Sequence, residues 1–237
     1  MALAGTAALA MWWDIAPEVR SDFEHWHAHE HFPERLAIPG FLRASRWRSS
    51  DGGDGTFVLY ELADREVLRS PSYLARLNAP TPWSTRLMPH HRNMVRSQCR
   101  VLESRGGVTA RSAVTVRLAP AAGREASLRL GLRDLFESAP TRPGLVGLHL
   151  LRHEPPSLAA TTEQHLRGLA DAEADWVLIA SGDDPDAVAA LGAGELGEEA
   201  LMAMGAAPGF VCRRFDLAYA AMSTDVAGIA ASATAAA

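Results

Sequence analysis

The order of apolar and polar positions divides the chain into short strands and amphipathic helices. Ala7 to Asp14 is a compact apolar run of strand length. After Pro17 and a cap at Ser21 or Asp22, the apolar positions take helical spacing from about Asp22 to His31. Pro33 cannot sit inside a continuous helix, so Pro33-Glu-Arg-Leu is expected to open a fresh turn that stops before Pro39-Gly40. Phe41 to Arg48 and Thr56 to Leu62 read as strands of a hairpin closed by the turn Asp51-Gly-Gly-Asp-Gly55. Ser70 to Leu77 is a short helix. A loop with Pro80, Pro82 and Pro89 leads into a strand over Asn93 to Glu103, and Gly106-Gly107 ends the unit.

The same order then recurs. Ala113 to Leu118 is a strand, Leu128 to Ser138 a helix, Leu145 to Arg152 and Trp176 to Ser181 strands, Asp184 to Met204 mostly helix, and Phe210 to Ala220 the last strand. Local matches run in register: Ala16-Pro17 with Ala119-Pro120, Pro39-Gly40-Phe41 with Pro143-Gly144-Leu145, and Cys99-Arg100 with Cys212-Arg213. The chain is therefore read as two diverged copies, 1–105 and 108–222, with an alanine-rich tail over 223–237 expected to fray. Each copy is a βαββαβ unit of the ferredoxin-like plan, which leaves one sheet face bare. The predicted fold is α+β: two tandem repeats whose antiparallel sheets close on each other into a barrel, with the helices outside.

Composition removes several function classes. With 48% hydrophobic residues the chain is not disordered. A net charge of -5 and no dense basic patch argue against nucleic acid as a partner, and no long uncharged apolar run offers a membrane span. The apolar start lacks a basic leader region, and Trp12-Trp13-Asp14 is unlike a small-residue cleavage site, so a cytoplasmic location is expected. All 23 basic residues are arginine, which excludes Schiff-base lysines and a P-loop lysine. Cys99 and Cys212 have neither zinc nor disulfide spacing.

The candidate chemistry lies in Phe23 to Phe41, which carries four of the nine histidines. At about 100° per residue, Phe23, Trp26, His27, Glu30 and His31 share one helix face, whereas His25 and His29 point away. His27-Ala-His-Glu30-His31 also spells H-x-x-E-H, but a zinc site needs a third ligand and an uninterrupted helix, so no metal is expected.

This helix, with Phe23, Trp26 and the His31-Phe32-Pro33 ending, followed by Pro39-Gly40-Phe41 and the strand residues Arg43, Arg46 and Trp47, resembles that of the dimeric α/β-barrel superfamily, in particular its EthD-like members. The resemblance implies a site in the cleft between helix and sheet. It also implies that only the first copy is equipped, because Leu128 to Ser138 contains no histidine, and that the second copy completes the barrel structurally. The superfamily includes cofactor-free monooxygenases, isomerases, dehydratases and haem enzymes, so the fold alone does not choose the reaction.

The expected site has His31 as proton-transfer residue with His27 or Glu30 as its partner, the alternative being that all three merely pack under the sheet. Trp26, Arg46, Trp47 and Tyr60 are candidates to bind a mostly apolar small organic molecule, and Trp83 and His90 to form a lid. The expected activity is an isomerisation, dehydration or cofactor-free oxygenation without a cofactor. A haem-binding or haem-degrading enzyme with a helix histidine as axial ligand, and a non-catalytic binding or accessory protein, are the alternatives. The two copies would make a pseudo-dimer within one chain, and a further homo-oligomer is left open.

Overall fold

A computed structural model describes residues 2–168 and 171–226. Eight strands form one closed antiparallel barrel: β1 (Ala7–Asp14), β2 (Phe41–Ser49), β3 (Gly55–Leu62), β4 (Arg92–Gly106), β5 (Ser112–Leu118), β6 (Leu145–His153), β7 (Trp176–Gly182) and β8 (Val211–Met222). Around the barrel the order is β1-β3-β2-β8-β5-β7-β6-β4. Each half thus repeats one arrangement, with its first and third strands central and its second and fourth at the edges. The edges meet the other half's edges: β2 pairs with β8 and β4 with β6, both antiparallel. Closure leaves no free sheet edge.

Strand alternation produces three apolar layers. Inward residues such as Trp12, Trp47, Phe57, Leu59, Cys99, Ile179 and Phe215 fill the barrel. The outward residues of each half pack under that half's helices. β3 and β7 are buried along their whole length because both faces are covered, which explains their near-continuous apolar sequences.

The helices start where the sequence supplies caps. Ser70 accepts from the Tyr73 amide ahead of α3 (Pro71–Asn78), and Thr81 from the Ser84 amide ahead of α4 (Pro82–Leu87). The second half carries α5 (Glu125–Ser138), α6 (Thr162–Leu166), α7 (Pro185–Ala193) and α8 (Glu198–Met204). α6 falls in a stretch where the sequence shows no periodicity, and it is nucleated by a capping box between Thr161 and Gln164. Gly40 and Gly144, matched in the two copies, both adopt left-handed backbone (φ 94° and 79°) at the turn into β2 and into β6. Residues 227–237 of the expected tail lie outside the described residues.

Besides α4, which lies in the stretch read as a loop, and α6, the first helix departs from the reading of the sequence: it begins at Pro17 without a side-chain cap, and Ser21 and Asp22 lie inside it. The chain is helical without a break from Pro17 to Leu36: α1 (Pro17–Trp26), a π-helical segment His27–His31, then α2 (Phe32–Leu36). Pro33 lies inside this run rather than starting a separate turn. The reason is the widened segment, in which the Phe32 amide donates to the His27 carbonyl five residues back. In an α-helix Pro33 would leave the His29 carbonyl without its donor and press its ring against it; a π turn carries the chain past that conflict.

Candidate functional site

The cavity lies between the outer face of the first half's sheet and its helices. β1 contributes Leu9, Met11 and Trp13, β3 contributes Tyr60, and β4 contributes Met94 and Arg96. From the long helix come Trp26, His27, His31 and Arg35; α3 supplies Tyr73 and Leu77, and the loop after α4 supplies Met88 and His91. Glu163 of α6 and Arg167 just after it complete the wall. The second copy therefore contributes to the wall of this cavity as well as completing the barrel. The connection between β6 and β7 is long enough to lay α6 against α3, where the Thr162 amide donates to Asn78 Oδ1 (3.1 Å).

His27 is 1% exposed and His31 8%, whereas His25 and His29 face solvent, as the helical spacing requires. The two inner imidazoles stack at 5.3 Å, with His31 4.4 Å from the Trp26 ring and His27 4.3 Å from Phe32. Burial pushes both well below the usual histidine range. Among nearby cations, Arg46 and Arg35 add to the effect on His27, and Arg35 on His31. Both rings are thus neutral at pH 7. His91 also faces the cavity, and burial followed by Arg167 lowers it to about 4.

Arg35 follows His31 by four residues and so shares its face. Burial is the largest influence and opposes its charge, but the Glu163 carboxylate, which accepts from Nη2, acts with the Tyr73 and Tyr60 oxygens to raise its pKa overall, so the guanidinium stays charged. Burial drives the Tyr60 phenol above its ordinary value, so it is a neutral donor.

Five buried polar atoms on this wall have no hydrogen-bond partner: Trp13 Nε1, His27 Nδ1, His31 Nδ1, Arg35 Nη1 and the Tyr60 hydroxyl. Buried polar groups are normally paired, so five orphans around one cavity mark it as a place for water or a polar group of a ligand. The cavity volume is about 30 Å³, room for roughly two waters, whereas ligand sites typically span about 300–1,000 Å³. Occupation by an organic molecule requires lining side chains to move. A haem would need far more displacement, and both imidazoles are already crowded by aromatic rings, so these residues do not fit a haem. Among the described residues no cluster of His, Cys, Asp or Glu is arranged to hold a metal.

Of the residues singled out in the sequence, the fold brings His31, His27, Trp26 and Tyr60 together on the cavity. Three others lie elsewhere. Glu30 turns outward along the helix, accepting from Trp26 Nε1 (3.0 Å) and from the Thr81 hydroxyl, so it holds Trp26 instead of facing His31. Arg46 donates to the Glu24 carbonyl (3.1 Å) and lies over the Phe23 and Tyr219 rings. Trp47 points into the barrel, where its indole donates to Ser45 Oγ (3.0 Å), because strand alternation places it opposite to the helix side. Of the expected lid, Trp83 is tied to Asp22 (3.0 Å) and His90 is exposed; the adjacent His91 reaches the cavity. Arg35 was detectable from its spacing to His27 and His31. Glu163 and Arg167 carried no such signal beyond the Thr161-x-x-Gln164 cap.

No family model matches the chain, and no curated protein does. Solved structures match over nearly its whole length at low identity. An anthrone oxidase-like protein superposes with a TM-score of 0.63 at 12% identity, covering 94% of this chain and 96% of its own. A candidate monooxygenase from Fusobacterium nucleatum gives 0.58 at 8%, covering 92% and 95%. A candidate chlorite dismutase gives 0.52 at 11%, covering 94% and 99%. The chain has the dimeric α/β-barrel fold in pseudo-dimeric form. The reactions in these names differ, so the shared fold does not select one.

Proposed function

We propose that the protein is a small-molecule enzyme of this fold, in which a neutral helix imidazole moves a proton on a mostly apolar organic substrate. The observation that carries this reading is that five residues lining one cavity each hold a buried polar atom with no hydrogen-bond partner. His31 is the base: its lowered pKa keeps it unprotonated at neutral and mildly acidic pH, ready to accept a proton. His27, stacked on it, is the second imidazole. Arg35 Nη1 and the Tyr60 hydroxyl are donors for an oxygen that gains negative charge as the proton leaves an adjacent carbon. Leu9, Met11, Leu77, Met88 and Met94 provide the apolar walls.

Such an arrangement suits a substrate with one carbonyl or phenolic oxygen next to an acidic C–H. Deprotonation there is the common first step of isomerisation, dehydration and cofactor-free oxygenation. The His-x-Pro ending of the helix supports placing the protein with EthD-like members of the superfamily. The test is turnover of enolisable aromatic ketones by wild-type and His31→Ala protein. Loss of about 10²–10⁴-fold in kcat with the thermal midpoint preserved is expected for a proton-transfer residue. Wild-type protein that binds these ketones without converting them, or a His31→Ala chain with wild-type turnover, overturns the proposal.

A further inference from the structure

The two ends of the barrel differ. One is stoppered by the N-terminal segment: Leu3 is buried in the interior cluster, its amide donates to Ser104 Oγ (3.0 Å), and the Ala4 amide donates to Glu61 Oε2 (2.7 Å). The opposite end, where β1 finishes and β8 begins, holds a recess of about 280 Å³ lined by Trp12, Asp14, Asn93, Arg117, Arg213 and Phe215 among others.

Alternation along the strands aims these side chains inward. Trp12 and Phe215 belong to the barrel interior, so Asp14, two residues on, and Arg213, two residues back, share their face. On β5, Thr115 accepts from the Trp12 indole (3.1 Å), which places Arg117 on the same inner side, its guanidinium 5.3 Å over the Trp12 ring. Among the described residues neither Arg117 nor Arg213 has a salt-bridge partner of the kind that Arg20, Arg43 and Arg92 have, although Asp51 lies close enough to Arg213 to feel its charge. Asp14 faces the same recess but accepts from Asn93 Nδ2 (2.8 Å). Two guanidiniums therefore share the recess with the Asp14 carboxylate, over an aromatic floor, while Asp51 acts on Arg213 from the adjoining groove. Burial, and after it repulsion by Arg213, already work against the charge on Arg117, so an incoming anion would relieve a standing cost.

We propose that this mouth is a second binding site, separate from the histidine cavity, for a small organic monocarboxylate. The carboxylate lies between Arg117 and Arg213, whose planar forks suit it, and the apolar body rests against Trp12, Phe215 and Val95. With Asp14 in the recess and Asp51 beside Arg213, a monoanion is tolerated better than a dianion. A neighbouring groove of about 400 Å³ shares Val95 and Arg117 and gives a longer ligand room to extend.

Calorimetric titration of the full chain with benzoate, and with benzyl alcohol as its uncharged counterpart, tests this. Saturable benzoate binding that weakens with added salt is expected, with no measurable binding of benzyl alcohol. Arg117→Gln and Arg213→Gln should each weaken benzoate binding by about tenfold or more, the loss of one charge-assisted contact. Arg213 is exposed, so its variant should keep the wild-type thermal midpoint and report binding alone. Absence of benzoate binding, equal binding of benzyl alcohol, or benzoate binding untouched by both substitutions, the result if benzoate lodged beside Arg35 instead, overturns the proposal.

Discussion

At the scale of single residues, the histidine cavity depends on a buried ion pair made between the two copies. Arg35 and Glu163 are 3% and 4% exposed, and removing one partner strands the other charge in an apolar wall. Glu163→Gln should lower unfolding free energy by about 3–5 kcal/mol. An Arg35→Met, Glu163→Leu double variant should recover most of the loss in urea titrations, because it removes both charges of the pair while Arg167 keeps its own bridge to Asp171 (2.8 Å). A second residue-scale effect concerns His149, fully buried in the second half, with Ser104 Oγ 2.8 Å from its Nδ1. Burial lowers its pKa to about 4, whereas an unfolded histidine titrates near about 6.5. Below that value the unfolded chain takes up a proton that the folded chain refuses, so the stabilising contribution is complete above about pH 6.5 and lost as pH falls toward 4. The loss amounts to roughly 3 kcal/mol by pH 4. His149→Gln should flatten the decline in urea midpoint between pH 6.5 and 5, and an unchanged slope would show that burial does not depress this histidine.

At the scale of elements, the π segment decides where the imidazoles point. It adds a residue to one turn, and this extra residue lets Pro33 follow without ending the helix. Inserting one alanine after Ala28, which the already widened turn cannot absorb, should turn everything after it by about 100° relative to everything before. His31 and Arg35 would then leave the face that Phe23 and Trp26 keep against the sheet. The expected result is far-UV circular dichroism close to wild type with loss of ketone turnover. Retained turnover would show that the π turn has no part in aiming His31.

At the scale of the whole molecule, neither copy is self-sufficient. Each four-stranded sheet has two edges and an apolar inner face that only the other copy covers, through β2·β8 and β4·β6 and the shared barrel interior. Residues 1–105 expressed alone should therefore not sediment as a folded monomer, and would lack Glu163 and Arg167 in any case. A monomeric fragment with dispersed amide resonances would refute that dependence.

The barrel was legible because its signals are local. Strand runs such as Ala7 to Asp14 and the paired Pro39-Gly40 and Pro143-Gly144 turns lie within a few residues of what they specify, and their recurrence identified the doubled unit. The inward face of the first helix was legible for the same reason: spacing placed His27 and His31 together and His25 and His29 opposite. Local pattern could not tell which strand residues share that face, so Arg46 and Trp47 were assigned to a cavity that neither lines. Register and alternation are settled by pairing partners far along the chain. Nor could it find α6, whose Glu163 meets Arg35 across 128 residues, because nothing in the intervening chain encodes that contact. The sequence by itself determined the doubled unit, its elements and the two inner imidazoles, all products of short-range periodicity. Only the tertiary structure decided that both copies wall one cavity, because long-range closure of the barrel brings the second copy's short helix beside the first copy's histidines.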